Sequence, residues 1–118
     1  MAFEWIPFDK KLPEKPEIGQ IARTLDISRS DAILGCLQVW AWVDSNSEDG
    51  RVHAATLEDV DYAARMTGFG QAMKDAEWIL VEAAGLVFPN TDRWITRSAK
   101  RRLRDADRKR RERQEERS

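Results

Sequence analysis

The chain has 118 residues, of which 42% are apolar and 35% are charged, so we expect one folded domain with a strongly solvated surface. Its longest apolar stretch, residues 32–43, is broken only by Gln38 and is shorter than the roughly 20 residues that span a bilayer, which argues against a membrane protein. The N-terminus has no signal-peptide pattern, and a single cysteine permits no disulfide framework. We therefore expect a cytoplasmic protein.

The charge of the chain is divided into two opposite parts. Residues 1–92 hold 8 Lys/Arg and 16 Asp/Glu, a net charge of −8, whereas residues 93–118 hold 12 Lys/Arg and 5 Asp/Glu, a net charge of +7. Basic tails commonly contact phosphate backbones or acidic protein surfaces. We therefore divide the chain into a domain, residues 1–92, and a basic helical tail, residues 93–118.

The first predicted elements are a strand and a helix. Residues 3–8 have the composition of a short strand, and Pro7 restricts it to a sheet edge or ends it. A helix is predicted from Pro16 to about Leu25, because proline is favoured at the first helical position. Its apolar side has helical spacing and consists of Ile18, Ile21, Ala22 and Leu25.

The second predicted helix follows a capping-box spacing at Ser28 and has apolar residues on nearly every side. We expect it to be the hub on which the other elements pack, with Gly35 allowing the close approach of a neighbour. Trp40 and Trp42 are about 200° apart around this helix and must face different partners. One is expected to pack on the N-terminal strand and the other on the hairpin predicted below.

The remaining part of the domain predicts two short helices and a hairpin. Residues 51–53 suggest a brief strand, and a second capping box at Thr56 opens a helix that ends near Met66. A short helix over residues 70–77 and a hairpin over residues 78–88 follow. The predicted fold is mainly α with a small β-hairpin, a winged helix-turn-helix with a C-terminal basic helical tail.

The tail has two halves of different character. In its first half, four apolar residues with helical spacing are expected to dock on the domain: Ile95, Ala99, Leu103 and Ala106. Residues 107–118 contain no apolar residue, so this half is expected to project into solvent or fray. The spacings of Asp105 and Lys109 and of Asp107 and Arg111 predict two ion pairs that support helix locally.

The sequence offers little for catalysis. His53 is the only histidine, and Cys36 lies within an apolar stretch, where a thiol is expected to be inert. The carboxylates of Glu58, Asp59 and Asp61 are interpreted as charges in the first turns of a helix and on a solvated face. No phosphate-binding loop or metal-ligand spacing is present in the sequence, so we expect no enzyme activity, no metal and no cofactor.

The predicted recognition helix is a poor reader of base pairs. It carries one lysine and two acids, whereas major-groove readers bring arginine, lysine, asparagine or glutamine to base edges. Gln71 and Lys74 are its only candidate contacts to DNA.

The tail is the stronger candidate for binding DNA. Between residues 97 and 104 it contains five cations and no acid, and a handful of phosphate contacts would give affinity that does not depend on sequence. The candidate residues are Arg97, Lys100, Arg101, Arg102, Arg104 and Arg108. The alternative is a solvated helix whose acids neutralise its bases, which Asp105, Asp107, Glu112, Glu115 and Glu116 support.

The chain resembles a group of small phage and prophage proteins in the order and spacing of short motifs over most of its length. The motifs are Trp5-Ile6, Lys15-Pro16-Glu17, Ile21-Ala22, Leu34-Gly35-x-Leu37-x-x-Trp40-x-Trp42, Asp49-Gly50, Gly68-Phe69-x-x-Ala72-Met73, Trp78-Ile79, Pro89-Asn90-x-Asp92 and Ser98-Ala99-Lys100-Arg101-Arg102. The group looks like the N-terminal winged-helix part of phage replisome-organiser or replication-initiation proteins. The resemblance implies a winged-helix fold, a role in phage or plasmid DNA replication inside a bacterial host, and a host or phage replication protein as a partner.

Two other functions remain open. The acidic domain would repel DNA, so the protein is alternatively a protein-interaction module that docks a host replication, transcription or defence protein. Self-association through the tail is a third hypothesis, although the apolar pattern ends at Ala106 and is short for a coiled coil. The sequence leaves the oligomeric state and the preference for single or double strands open.

Overall fold

The computed structural model describes residues 9–47, 49–89 and 97–117, with only the helix backbone for residues 97–103, 116 and 117. A short 3-10 helix, Leu12–Glu14, precedes the regular elements. These are, in chain order, α1 (Pro16–Leu25), α2 (Arg29–Asn46), β1 (Arg51–His53), α3 (Leu57–Ala64), α4 (Phe69–Asp75), β2 (Leu80–Glu82), β3 (Gly85–Val87) and α5 (Arg97–Arg117). The fold is mainly helical with a small sheet, as predicted. The predicted strand at residues 3–8 lies outside the described residues.

Helix α1 has the predicted bounds and the predicted apolar side. Pro16 occupies the first helical position, and Ile18, Ile21 and Ala22 are buried while Leu25 is half-buried. The chain leaves the helix through Asp26, which has a left-handed backbone with φ of 54°.

Helix α2 is the hub of the domain, as predicted. The Ser28 side chain accepts a hydrogen bond from the backbone N–H of Asp31 at 3.0 Å and caps its N-terminus. The helix packs against α1, α3, β1 and the 3-10 helix. It is not buried on every side, since Leu34 is 49% exposed. A Cβ atom at Gly35 would overlap the ring of Phe69, which confirms the predicted close approach and identifies the neighbour.

The three strands form one antiparallel sheet in the order β1-β3-β2, so the strand at residues 51–53 joins the hairpin. The hairpin strand begins at Leu80 and not at Trp78, where we predicted it. The Trp78 amide instead donates to the carbonyl of Met73 at 2.9 Å and closes the end of α4, and Ile79 is buried in the core. These two residues therefore connect α4 to the sheet.

Both tryptophans of α2 contact residues that flank the hairpin. The ring centroids of Trp40 and Trp78 are 5.7 Å apart, and those of Trp42 and Phe88 are 6.3 Å apart in an edge-on arrangement. The partners differ, as the helical spacing requires, but we predicted only one of the two on the hairpin. The hairpin is thus fixed to α2 at both of its ends.

Helix α3 ends at Ala64, two residues earlier than predicted, because Arg65 adopts a left-handed backbone with φ of 61°. Gly68 is also left-handed, with φ of 83°, and leads directly into α4. The capping box at Thr56 is present as predicted, with the Thr56 amide donating to the Asp59 carboxylate at 2.8 Å. The two short helices are therefore joined by a tight turn.

Helix α5 forms as predicted, but its apolar stripe does not dock as expected at Ala106, which is exposed. From residue 104 to residue 115 the side chains are exposed, apart from Asp105 and Asp107, which are half-buried. Of the two predicted ion pairs, the one between Asp107 and Arg111 is present at 3.1 Å. Ile95 and the side chains of Ala99 and Leu103 lie outside the described part. None of the helices described here is long and apolar enough to cross a membrane.

The thiol of Cys36 lies in the core, and its burial raises its pKa to about 12. At pH 8 only about one thiol in ten thousand is then ionised, compared with about a quarter of the thiols of a free cysteine. We expect a disulfide reagent to modify the native protein more than about a thousandfold more slowly than the protein in denaturant. The coloured thiolate that the reagent releases on reaction measures both modification rates, with glutathione as a control. Equal rates for the native and the denatured protein would contradict the burial of Cys36.

Candidate nucleic-acid interface

The outer side of α4 presents the two residues predicted to touch bases. Gln71 and Lys74 are exposed, while Phe69, Ala72 and Met73 on the opposite side are buried. The side-chain amide of Gln71 donates to the Asp75 carboxylate at 2.9 Å. A base contact by Gln71 would have to compete with this hydrogen bond. Lys74 is the only cation within α4.

The turn that orients α4 depends on Asp61, which we interpreted from the sequence as a solvated helical charge. That interpretation was wrong, because Asp61 is half-buried and its two carboxylate oxygens accept the backbone N–H groups of Gly68 at 2.9 Å and Gly70 at 2.7 Å. Both are amides at the N-terminus of a helix, which lack partners within the helix itself. The sequence signal for this role of Asp61 was the presence of glycines seven and nine residues after it.

The hairpin presents an apolar edge and little positive charge. Leu80 and Val81 on β2 are 49% and 53% exposed. The Arg51 guanidinium on β1 lies 3.4 Å from the Glu82 carboxylate on β2. This arginine is thus already paired with an acid, which makes this part of the domain a weak site for phosphate.

Four arginines of helix α5 occupy positions on one side of the helix. Residues of an α-helix are spaced about 100° apart around its axis and rise about 1.5 Å each. Four arginine positions separated by four, three and four residues therefore share one face within an arc of about 60°. We call this set the basic stripe: Arg97, Arg101, Arg104 and Arg108.

The other candidate positions of the tail lie around the stripe. Lys100 falls at its margin, whereas Arg102 falls on the far side of the helix, so the predicted tail residues do not all share one face. Arg104 and Arg108 are exposed. On the far side Arg102 is accompanied by Lys109, Arg110 and Arg113, and we call these four the off-stripe cations.

The two charged parts of the chain are therefore also different in geometry. The α4 side and the hairpin hold scattered charges of both signs, whereas α5 holds four cations aligned along one face over about 17 Å.

No protein-family model, curated protein or solved structure matches this chain.

Proposed function

We propose that the protein is a DNA-binding accessory protein of phage-type DNA replication whose helix α5 contacts the phosphate backbone. The observation that carries the proposal is the basic stripe, in which Arg97, Arg101, Arg104 and Arg108 occupy positions on one face of a continuous helix. Phosphates neutralised by such a row release counterions, which gives affinity without sequence preference. DNA is thus proposed as the main partner, with weak or no sequence specificity.

We propose a winged helix-turn-helix fold for the domain. In support, α2, α3 and α4 form the helical part, a tight turn separates α3 from α4, and a hairpin follows α4. Strand β1 joins the hairpin to complete a sheet in the order β1-β3-β2. In this fold α4 is the recognition helix and the hairpin is the wing.

The domain is proposed to orient the tail and to contact a host or phage replication protein, and not to read bases. Its charge of −8 opposes the approach of DNA, and the hydrogen bond between Gln71 and Asp75 occupies one of its two candidate base contacts. The resemblance to replisome-organiser proteins supports a role in replication initiation in the bacterial cytoplasm.

A charge-matched pair of variants tests the basic stripe. We expect replacement of all four stripe arginines by alanine to flatten the slope of log K against log salt by up to about 3.6, since each phosphate contact contributes about 0.9. Fluorescence anisotropy on a duplex of about 12 base pairs, little more than one helical turn, measures the slope from 50 to 300 mM salt. Single strands of the same length show the strand preference.

The control removes the same charge from the same helix. Alanine at the four off-stripe cations, Arg102, Lys109, Arg110 and Arg113, is expected to leave most of the slope intact. Equal slopes for the two variants would mean that α5 acts by total charge and not through its stripe. Absence of binding by the unaltered chain at 50 mM salt would refute the proposal.

A protein-interaction module is the second candidate, and the exposed side chains of Leu80 and Val81 on the edge strand β2 favour it. If it is the function, the chain should recover one stoichiometric host protein while binding no DNA at low salt. Replacement of both side chains by serine should then abolish that recovery, whereas the basic-stripe variant should retain it.

A further inference from the structure

An open groove lies along the outer side of α3, next to the turn into α4. It is lined by Glu58, Asp61, Tyr62, Arg65, Met66 and Thr67. The Tyr62 side chain is 88% exposed, the largest exposed fraction among the large apolar and aromatic side chains that the structure describes. Tyrosine suits protein interfaces because its ring is apolar and its hydroxyl is polar. A ring beside carboxylates is also a favourable surface for a guanidinium group, which stacks on the ring and pairs with the acid.

The charges of the groove favour a cationic occupant. Glu58 precedes Tyr62 by one helical turn and is exposed. Asp61 also lines the groove, and its carboxylate accepts the two turn amides. Arg65 supplies one positive charge, so two carboxylates stand against one guanidinium. The domain around them carries −8, which repels phosphate and attracts a basic segment.

The far side of α5 has the chemistry that fits this groove. Lys109, Arg110 and Arg113 are exposed there, and Ala106 provides a small apolar patch next to them. These side chains are not covered by the domain of their own chain. They also point away from the basic stripe, so phosphate bound to the stripe would leave them accessible.

We propose that the α3 groove binds the off-stripe side of α5 from a second copy of this chain, with an arginine stacked on Tyr62 and paired with Glu58. The contact is heterologous, because the groove of one copy meets the helix of another. Neighbouring copies of the protein that bind one DNA molecule through their basic stripes would thus also contact each other. The inference uses the same helix α5 as the proposed function, but the contact needs no DNA. Self-association and DNA binding can therefore be confirmed or refuted independently.

Sedimentation velocity of the full chain without DNA tests the contact. We expect association that grows with concentration at 50 mM salt and weakens strongly at 500 mM, since screening shortens the range of charge interactions. Tyr62→Ala should weaken it about two- to fivefold, the contribution of an exposed cation–π contact. Glu58→Lys should weaken it further, whereas Leu34→Ala, which removes an exposed apolar side chain of α2 that belongs to neither proposed interface, should leave it unchanged.

A mixing experiment distinguishes the two halves of the contact. The Glu58→Lys protein keeps a competent helix, and the protein with alanine at the off-stripe cations keeps a competent groove. Each should be monomeric alone at a concentration where their mixture forms heterodimers. A monomeric unaltered chain at 50 mM salt, or a mixture that stays monomeric, would overturn the inference. So would a Tyr62→Ala protein that associates normally but binds single-stranded DNA less tightly, because the groove would then hold a base.

Discussion

Phe69→Ala is expected to lower the free energy of unfolding by about 3–5 kcal/mol, a large share of the roughly 5–15 kcal/mol that stabilises a domain. The Phe69 side chain is fully buried at the start of α4, and its ring lies against the backbone of α2 at Gly35. Gly35 has no side chain that could fill the space left by the ring. Chemical denaturation in urea measures the loss.

Tyr62→Ala is the matched control for that substitution. It also removes a large aromatic side chain from a neighbouring short helix, but from a position that is 88% exposed. A surface change of this kind is expected to alter stability by no more than about 0.5 kcal/mol. If the two variants lost equal stability, Phe69 would not be the residue that fixes α4 to α2.

The local rules of helix formation predicted much of the fold because they act within a few residues. The capping residues Ser28 and Thr56 marked two helix starts correctly, and Pro16 marked a third. Gly35 indicated a close approach because glycine costs helix stability unless something needs the space. Its partner is 34 residues away and could not be identified, since spacing along one helix carries no information on which side chain arrives from another.

The sequence reasoning failed where a side chain or an amide is used by tertiary structure. Trp78 and Ile79 have strand composition, yet the Trp78 amide closes α4 and Ile79 enters the core. The apolar spacing of the tail also predicted docking at Ala106, which is exposed, and a single alanine gains little from burial. At Trp78 and Ile79, strand propensity was outweighed by packing.

The candidate site was predictable in part. The cluster of cations in α5 was evident from composition, and its arrangement into a stripe follows from spacings of four, three and four residues once the helix is continuous. The separate position of Arg102 follows from the same geometry. The involvement of Gln71 with Asp75 was available from their helical spacing, whereas the groove on α3 depends on how the turn after Arg65 folds back.

Asp61→Ala is expected to cost about 2–4 kcal/mol, because it leaves the amides of Gly68 and Gly70 without the carboxylate that satisfies both. Asp61→Asn should lose about half as much, since the amide side chain keeps one acceptor oxygen. Glu58→Gln, one turn earlier on the exposed side of α3, is the control and should be close to neutral.

The same Asp61→Ala protein also separates the domain from the tail. If DNA is bound through the basic stripe of α5, its salt slope should stay unchanged at a temperature where the variant is still folded, because no stripe residue depends on the turn. A slope that falls together with stability would mean that α4 contributes phosphate contacts of its own. The orientation of α4 by Asp61 would then be part of the nucleic-acid interface and not only of the fold.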